Sequence, residues 1–268
     1  MARDLVVALV VGILQGIFEW LPISSEGNVT IVLSALGRSP EAGVAFALFL
    51  HLGTALAATV YYREDIGAVL RLLPTWRPSN ADEGAYATVT FLGIGTLVSG
   101  VVGIVAYLTL VDAVSELGGG VFIALIGVLL VLTGAFQYLS RDRLGAGRTP
   151  TILDAVLVGV AQGVAILPGI SRSGMTTGTL LLRGHEGTEA FRFSFLLAIP
   201  ASVGGGLLGY LDTGLDTSLL AAGVALGASA VVGYASIDAL LRIVDELPFW
   251  AVCVGLGALA IVGGVLVI

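Results

Sequence analysis

Gln15-Gly16-Ile17-Phe18-Glu19-Trp20-Leu21-Pro22-Ile23-Ser24-Ser25-Glu26-Gly27 is echoed far along the chain by Gln162-Gly163-Val164-Ala165-Ile166-Leu167-Pro168-Gly169-Ile170-Ser171-Arg172-Ser173-Gly174. The offset between Ser24 and Ser171 is 147 residues, and over 8–50 against 155–197 it gives 13 identities in 43 ungapped positions. Each copy ends an apolar run in a Pro/Gly/Ser break. Helix-breaking, polar residues are costly in lipid unless they are buried in protein or line a cavity. Two related breaks therefore predict one site built from two halves.

Outward from these breaks the chain is apolar. Hydrophobic residues make up 57% of it and charged residues 12%, against about 25% charged in soluble domains. The charges cluster between apolar runs of about 20 residues, the length that spans a bilayer. A soluble enzyme would spread them along exposed helix faces. Six runs read as full spans: 42–62, 86–110, 119–139, 191–211, 218–237 and 249–268. Their length and lack of alternation predict helices rather than barrel strands. The segments 5–37 and 152–183 differ, each with an apolar limb, a polar break and a shorter limb. Neither limb spans comfortably, so each segment is expected to be a re-entrant helical hairpin.

Each half then holds one hairpin and three spans. Three crossings are odd, so the second half is expected to be inverted relative to the first. The linkers 63–85, 140–150, 183–192 and 238–248 carry Arg63, Arg71, Arg77, Arg141, Arg143, Arg148, Arg183, Arg192 and Arg242. The opposite side holds Arg3 and Arg38, with Asp112, Glu116, Asp212 and Asp216 in its loops. Arginine-rich loops stay in the cytoplasm. The expectation is one integral membrane domain over 1–268, with inverted repeats of about 1–139 and 151–268 and a plasma-membrane location. Such repeats place their site at the interface between halves, near the midplane. Arg3 followed by Asp4, with Gln15 and Glu19 in the same stretch, argues against a signal peptide. The single cysteine, Cys253, rules out an intrachain disulfide. No basic stripe exists, so no nucleic-acid partner is expected.

Glu19 and Arg172 are the charges deepest in the hairpins, with Glu26 close behind. An intramembrane ionisable residue is a functional hypothesis that needs a partner, and a purely structural Glu19–Arg172 pair is the plain alternative. The second break offers Ser171, Arg172, Ser173, Thr176 and Thr177, with Gly169 and Gly174 allowing close approach. A helix opening at Gly174 would present free N–H groups to an anion, and a guanidinium matches phosphate geometry. The first break offers Gln15, Glu19, Ser24, Ser25, Glu26 and Asn28. Gln15 and Glu19, four residues apart, share a helix face. A carboxylate facing phosphate can hold Mg²⁺ or Ca²⁺ or act as a base; Gln15 can instead be a packing amide, as Gln162 repeats it. Trp20 reads as packing. His51 lies in the span after the first break, within reach of the site or satisfied within its span. His185 reads as solvated, and Tyr61, Tyr62 and Arg63 as an interfacial helix end.

These motifs resemble the undecaprenyl-diphosphate phosphatase (bacitracin-resistance) family. The first reads Gln15-Gly-Ile-Phe-Glu19-Trp20-Leu21-Pro22-Ile23-Ser24-Ser25-Glu26-Gly27-Asn28, and the second, Pro168-Gly-Ile-Ser171-Arg172-Ser173-Gly174-Met175-Thr176, is complete. Leu50-His51-Leu52-Gly53-Thr54 and Phe193-Ser-Phe-Leu-Leu-Ala-Ile-Pro200 are similar too. The resemblance implies hydrolysis of a polyprenyl diphosphate to the monophosphate and phosphate, recycling a lipid carrier. It implies a site open to the outer face, dependence on Mg²⁺ or Ca²⁺, and bacitracin resistance. By position Glu19, with Gln15, would bind the metal or polarise the attack, and Ser25, with Ser24, would lie at the reacting phosphorus. Arg172 would neutralise phosphate, with Ser171, Ser173, Gly174 and Thr176 as donors. The chain departs from the family at Asn28, where the family carries a histidine. Asparagine cannot titrate near neutrality, which leaves Ser25 as nucleophile, Glu26 as base, or a metal-activated water. A lipid-phosphate transporter, or a homologue that only binds lipid phosphate, is the alternative activity. The expected partners are the lipid substrate and membrane lipids, with a homodimer as an option.

Overall fold

The computed structural model describes residues 2–141, 148–213 and 217–267. Among them every regular element is helical. Arg143 and Asp216 lie outside the described residues, as do the side chains of Asp112, Glu116 and Asp212.

The first break separates α1 (Ala2–Phe18) from α2 (Ser25–Ala35), and the second separates α7 (Ile152–Val164) from α8 (Arg172–Leu182). Pro22 has no N–H to donate and Pro168 likewise, so neither helix can run through its break. Both second limbs restart on a serine: Ser24 Oγ accepts from Gly27 N, and Ser171 Oγ from Gly174 N. Both end at a glycine with positive φ, Gly37 at 89° and Gly184 at 84°, the usual stop of a helix. α2 and α8 have 11 residues each, or about 16 Å, half of a bilayer core.

Among the described residues six helices are long and apolar enough to cross a membrane: α3 (Pro40–Tyr61), α5 (Gly84–Glu116), α6 (Gly119–Ser140), α9 (Gly187–Thr213), α10 (Leu219–Glu246) and α11 (Phe249–Leu266). The chain is a multi-pass membrane protein, with spans where the apolar runs predicted them. The helices bury Ala- and Gly-rich faces and leave Leu and Val outward, among them Leu97, Leu132, Leu211 and Leu259. That outward apolar coat is the lipid face. The closest packing joins α1 to α10, α3 to α9, α5 to α7 and α6 to α11. At Gly53 of α3 a Cβ would stand 1.8 Å from Ser229 Oγ and 2.7 Å from Leu226 O of α10; only glycine fits.

The arginine-bearing linkers are tied together. Arg192 binds Asp65 (Nε to Oδ1, 2.7 Å), Tyr61 donates to Asp238, and Arg148 Nη1 donates to Arg183 O at 3.1 Å. Linker 63–85 is more ordered than expected. It holds α4 (Arg63–Leu72) and two 3₁₀ turns, Leu73–Thr75 and Pro78–Asn80. Ile66, Val69, Leu70 and Leu73 recur at helical spacing, which makes α4 amphipathic.

Two expectations are corrected here. His185 is fully buried: its N–H bonds back to Leu180 O, folding the ring onto Phe193 and placing Nε2 3.3 Å from Asp154 Oδ2. Asp154 opens α7 and also takes Arg183 Nε at 2.6 Å and Thr151 Oγ1 at 2.7 Å. Burial alone would raise the Asp154 carboxyl, but the hydrogen bonds from Arg183 and Thr151 outweigh it and hold its pKa at about 2. Tyr62 is buried too, stacked 6.2 Å from Phe195, because α3 ends against α9 rather than in open interface.

Candidate active site

The two breaks meet backbone to backbone. Ser24 Oγ accepts from Gly169 N at 3.0 Å as well as from Gly27 N at 3.3 Å. A Cβ on Gly27 would lie 2.8 Å from Gly169 N. Ser24 itself has φ 59°, and Gly169 has φ 101°. A left-handed serine is strained; here its hydroxyl gains a donor from each half. α6 braces the junction. Gln137 Nε2 donates to Pro22 O at 2.6 Å, and Thr133 Oγ1 donates to Gly169 O at 3.0 Å.

Glu19, one residue past α1, sits at the centre and is buried. Arg172 Nη2 bonds its Oε1. Its Oε2 takes Ser25 Oγ at 2.8 Å and Gln15 Nε2 at 3.0 Å, with His51 Nε2 also at 3.0 Å. The same His51 nitrogen is 3.3 Å from Glu26 Oε1. The expected first-break residues Gln15, Glu19, Ser25 and Glu26 are thus brought together with Arg172 of the second. Arg172 Nη1 is buried without a hydrogen-bond partner, and the guanidinium lies 5.7 Å from the Phe195 ring centre.

Other expected residues are placed differently. Asn28 turns its amide to the backbone, donating to Ile23 O at 2.7 Å and Ser24 O at 2.9 Å, so it fastens the first break. Ser171 Oγ is spent capping Gly174 N at 3.2 Å. Thr176 Oγ1 donates to Arg172 O at 2.8 Å and lies 2.5 Å from Ser194 Oγ. Ser173 Oγ makes only long contacts, 3.4 Å to Leu21 O and 3.4 Å to Ser171 Oγ, and Thr177 Oγ1 has no hydrogen-bond partner. Of these second-break groups, Arg172 Nη1 and Thr177 Oγ1 are the ones without a hydrogen-bond partner, fewer donors than the sequence offers, and Arg172 lines a cavity beside the site. Trp20 is packing, as read: its Nε1 donates to Gly233 O at 2.9 Å and its ring meets Phe195 edge-on. Gln162 is also a packing amide, donating to Ser99 Oγ and Leu197 O.

Sequence reasoning gave no role to Thr133 and Gln137, and took Ser194 and Phe195 only as part of the family-like stretch Phe193–Pro200. For Thr133, Gln137 and Ser194 the sequence signal is polarity within an apolar span, which Thr and Ser often satisfy on their own helix backbone.

A cavity of about 180 Å³ opens beside this cluster, between α3, α5, α7 and α9. Glu26, His51 and Arg172 form its polar end, and Leu48, Ile104 and Ile166 its apolar wall. Both oxygens of Glu19 take donors, Arg172 on Oε1 and Ser25 and Gln15 Nε2 on Oε2. Gln15 Oε1 beside them is buried without a hydrogen-bond partner, and Glu26 Oε1 lies 3.3 Å from His51 Nε2, so the oxygens expected to hold a cation lie close together.

A protein-family profile described as Bacitracin resistance protein BacA matches residues 8–261. The chain is similar to the undecaprenyl-diphosphatase of Haloarcula marismortui, 50% identical over 269 residues, 99% of each chain. It is 40% identical to the undecaprenyl-diphosphatase of Methanococcoides burtonii, over 95% of this chain and 96% of that one. The undecaprenyl-diphosphatase of Saccharolobus solfataricus is 35% identical, over 98% and 96%.

Proposed function

The chain belongs to the Bacitracin resistance protein BacA family, and we infer that it is an undecaprenyl-type diphosphate phosphatase, a membrane hydrolase that releases phosphate from a polyprenyl diphosphate. The observation that carries this reading is Glu19, which holds Ser25 Oγ on one oxygen and Arg172 on the other beside a cavity with an apolar wall. A polyprenyl diphosphate has the matching parts, an anionic head and an apolar tail.

Arg172 Nη1 binds the terminal phosphate, with Ser173 as a neighbouring donor. Ser25 Oγ is the hydroxyl on a carboxylate, oriented to attack phosphorus while Glu19 takes its proton. The Oγ–P bond forms as the bond from phosphorus to the bridging oxygen breaks, and water later releases phosphate from the serine. Most of the rate comes from positioning and from charge already in place, as in phosphoryl transfer generally. Mg²⁺ or Ca²⁺ would be held by Glu19 with Gln15, whose Oε1 is buried without a hydrogen-bond partner, and would neutralise charge on the diphosphate.

The breaks are proposed to enter the membrane from opposite faces. Two observations support this. Contacts tie the arginine-bearing linkers to one end of the molecule, while a cleft at the mouth of the first hairpin is lined by Arg3, Arg38 and Thr217. The packing of α1 on α10 has its counterpart in α7 on α5 when the halves are exchanged. With the arginine-rich end in the cytoplasm of the plasma membrane, the first hairpin opens outward.

Purified protein should release phosphate from a polyprenyl diphosphate in detergent, and Arg172→Ala should cut the release about 1,000-fold. Folded protein that releases none across a range of divalent ions and pH sinks the reading.

A further inference from the structure

Many glycines of this fold stand where helices touch. A Cβ on Gly53, Gly127, Gly134 or Gly257 would come within 2.6 Å of a neighbouring helix. Four glycines on the cavity are different. Gly100 and Gly103 of α5 and Gly204 and Gly205 of α9 all line it. A Cβ on Gly100 or Gly204 would meet nothing within 4 Å. One on Gly103 would come no nearer than 3.7 Å to Gly163, and one on Gly205 no nearer than 3.8 Å to Leu48. Those are ordinary contacts, so packing does not require glycine at these positions, although glycine weakens a helix relative to alanine. What the bare backbone supplies is open width between α5 and α9. These two helices pack on each other less closely than α5 on α7 or α3 on α9.

The cavity also carries polar groups that lack partners. Arg172 Nη1 is a buried donor with none. Gln162 is 4% exposed and spends its Nε2 on Ser99 Oγ and Leu197 O, which leaves Oε1 buried without a partner. Both residues line the cavity. A donor and an acceptor left open in a buried space mark the place of a ligand. Away from Arg172 the cavity reaches the surface of the bundle. Gly100, Ile104 and Gly204 line it and are exposed, beside Leu97, Val101, Val203 and Leu207 of the lipid face. The cavity therefore opens sideways, towards lipid.

We propose that the gap between α5 and α9 is the port through which the isoprenoid chain of the substrate reaches from the bilayer to the site, and that Gly100, Gly103, Gly204 and Gly205 determine which chains pass. The occupant is the chain attached to the diphosphate, because one cavity joins the guanidinium of Arg172 to the lipid face. A methyl-branched chain is thicker than a straight acyl chain, and a gap walled by bare backbone admits that thickness. The inference rests on the phosphatase reading.

The test compares two probes with the same head, geranylgeranyl diphosphate and dimethylallyl diphosphate, on the full chain in detergent. The shorter probe has a single isoprene unit and leaves most of the port empty. The ratio of their kcat/KM values is the readout. Gly103→Leu and Gly205→Leu fill the gap from opposite helices. Each should lower the ratio about tenfold or more, the scale on which a pocket discriminates by bulk, with the loss in KM for the longer probe. Gly103→Ala and Gly205→Ala add only a Cβ and should fall between wild type and leucine. Gly93→Leu is the control. Gly93 lies about two turns from Gly100 on the same face of α5, is exposed with nothing within 4 Å of a Cβ, and does not line the cavity. Its ratio should equal that of wild type. An unchanged ratio in Gly103→Leu and Gly205→Leu overturns the proposal. An equal loss for both probes overturns it too, since the leucine then disturbs the head group, and so does an equal effect in Gly93→Leu. Should one leucine variant not fold, the other carries the same test. Wild type that releases no phosphate from either probe fails the phosphatase reading; active wild type with unchanged ratios in the variants fails the port alone.

Discussion

The first break, Ser24-Ser25-Glu26-Gly27, and the second, Ser171-Arg172-Ser173-Gly174, share a backbone plan and differ in charge. In both, a serine hydroxyl caps the helix that restarts, and a glycine three residues on gives the N–H it accepts. Between these fixed ends the first break carries Ser and Glu where the second carries Arg and Ser. Glu19 likewise answers to Ile166, and Asn28 to Met175. Two similar turns form similar scaffolds, and a few side chains make one acidic and one basic. The halves attract because they differ, and they fit because their backbones do not.

The sharpest way to break this comparison is to remove the charge of the second half. Arg172→Ala should cut phosphate release by about 1,000-fold, the upper range for losing one preorganised donor. Arg172→Lys should restore only part, because an ammonium cannot hold Glu19 and phosphate at once with one planar fork. A mild Arg172→Ala phenotype would place the anion elsewhere. Removing the acid of the first half should cost less: Glu19→Gln keeps hydrogen bonds to Ser25 and should lower kcat by about 100-fold, read in the same assay.

Stability tests the scaffolds themselves. Ala at Gly27 would put a Cβ 2.8 Å from the backbone N of Gly169, whereas Ala at Gly174 meets the far end of the Gln137 side chain at 2.7 Å. Backbone yields less than a side-chain end. Gly27→Ala should therefore lower thermal stability in detergent by about 1–3 kcal/mol, and Gly174→Ala by less. Equal losses would show that Gln137 is as immovable as the main chain.

The start of α7 gives the smallest effect. Asp154 is bound at about 2 in the folded chain against an ordinary 3.8. A depressed carboxyl stabilises the fold above its unfolded value, and that stability is lost as pH falls towards 2. Melting in detergent should show a loss of at most about 2 kcal/mol between roughly pH 4 and pH 2. Asp154→Asn should flatten that segment of the curve.

Much of this was legible in the sequence for local reasons. Span length, the proline breaks, the capping serines and the stop glycines each depend on a few neighbouring residues. The pairing of Glu19 with Arg172 was inferable because a buried charge needs a partner and few were on offer. Two kinds of fact were not legible. One is how hydroxyls are used: Ser171, Ser24 and Thr176 look like a phosphate cradle in the sequence, yet the chain spends them on caps and backbone. The other is what distant spans bring. Gln137 reaches Pro22 across 115 positions, and nothing in the α6 sequence announces it.

His51 joins both kinds. Its sequence shows a polar residue in an apolar span, equally consistent with a satisfied core histidine. Only packing of α3 against both breaks puts Nε2 between two carboxylates. By itself the sequence determined a membrane chain, its helices, and two half-sites of opposite charge, because hydropathy, chain breaks and caps act over one or two turns. The tertiary structure alone decided which hydroxyls go to caps and which side chains gather on Glu19, because Arg172 and Glu19 meet across 153 positions and such contacts leave no local pattern.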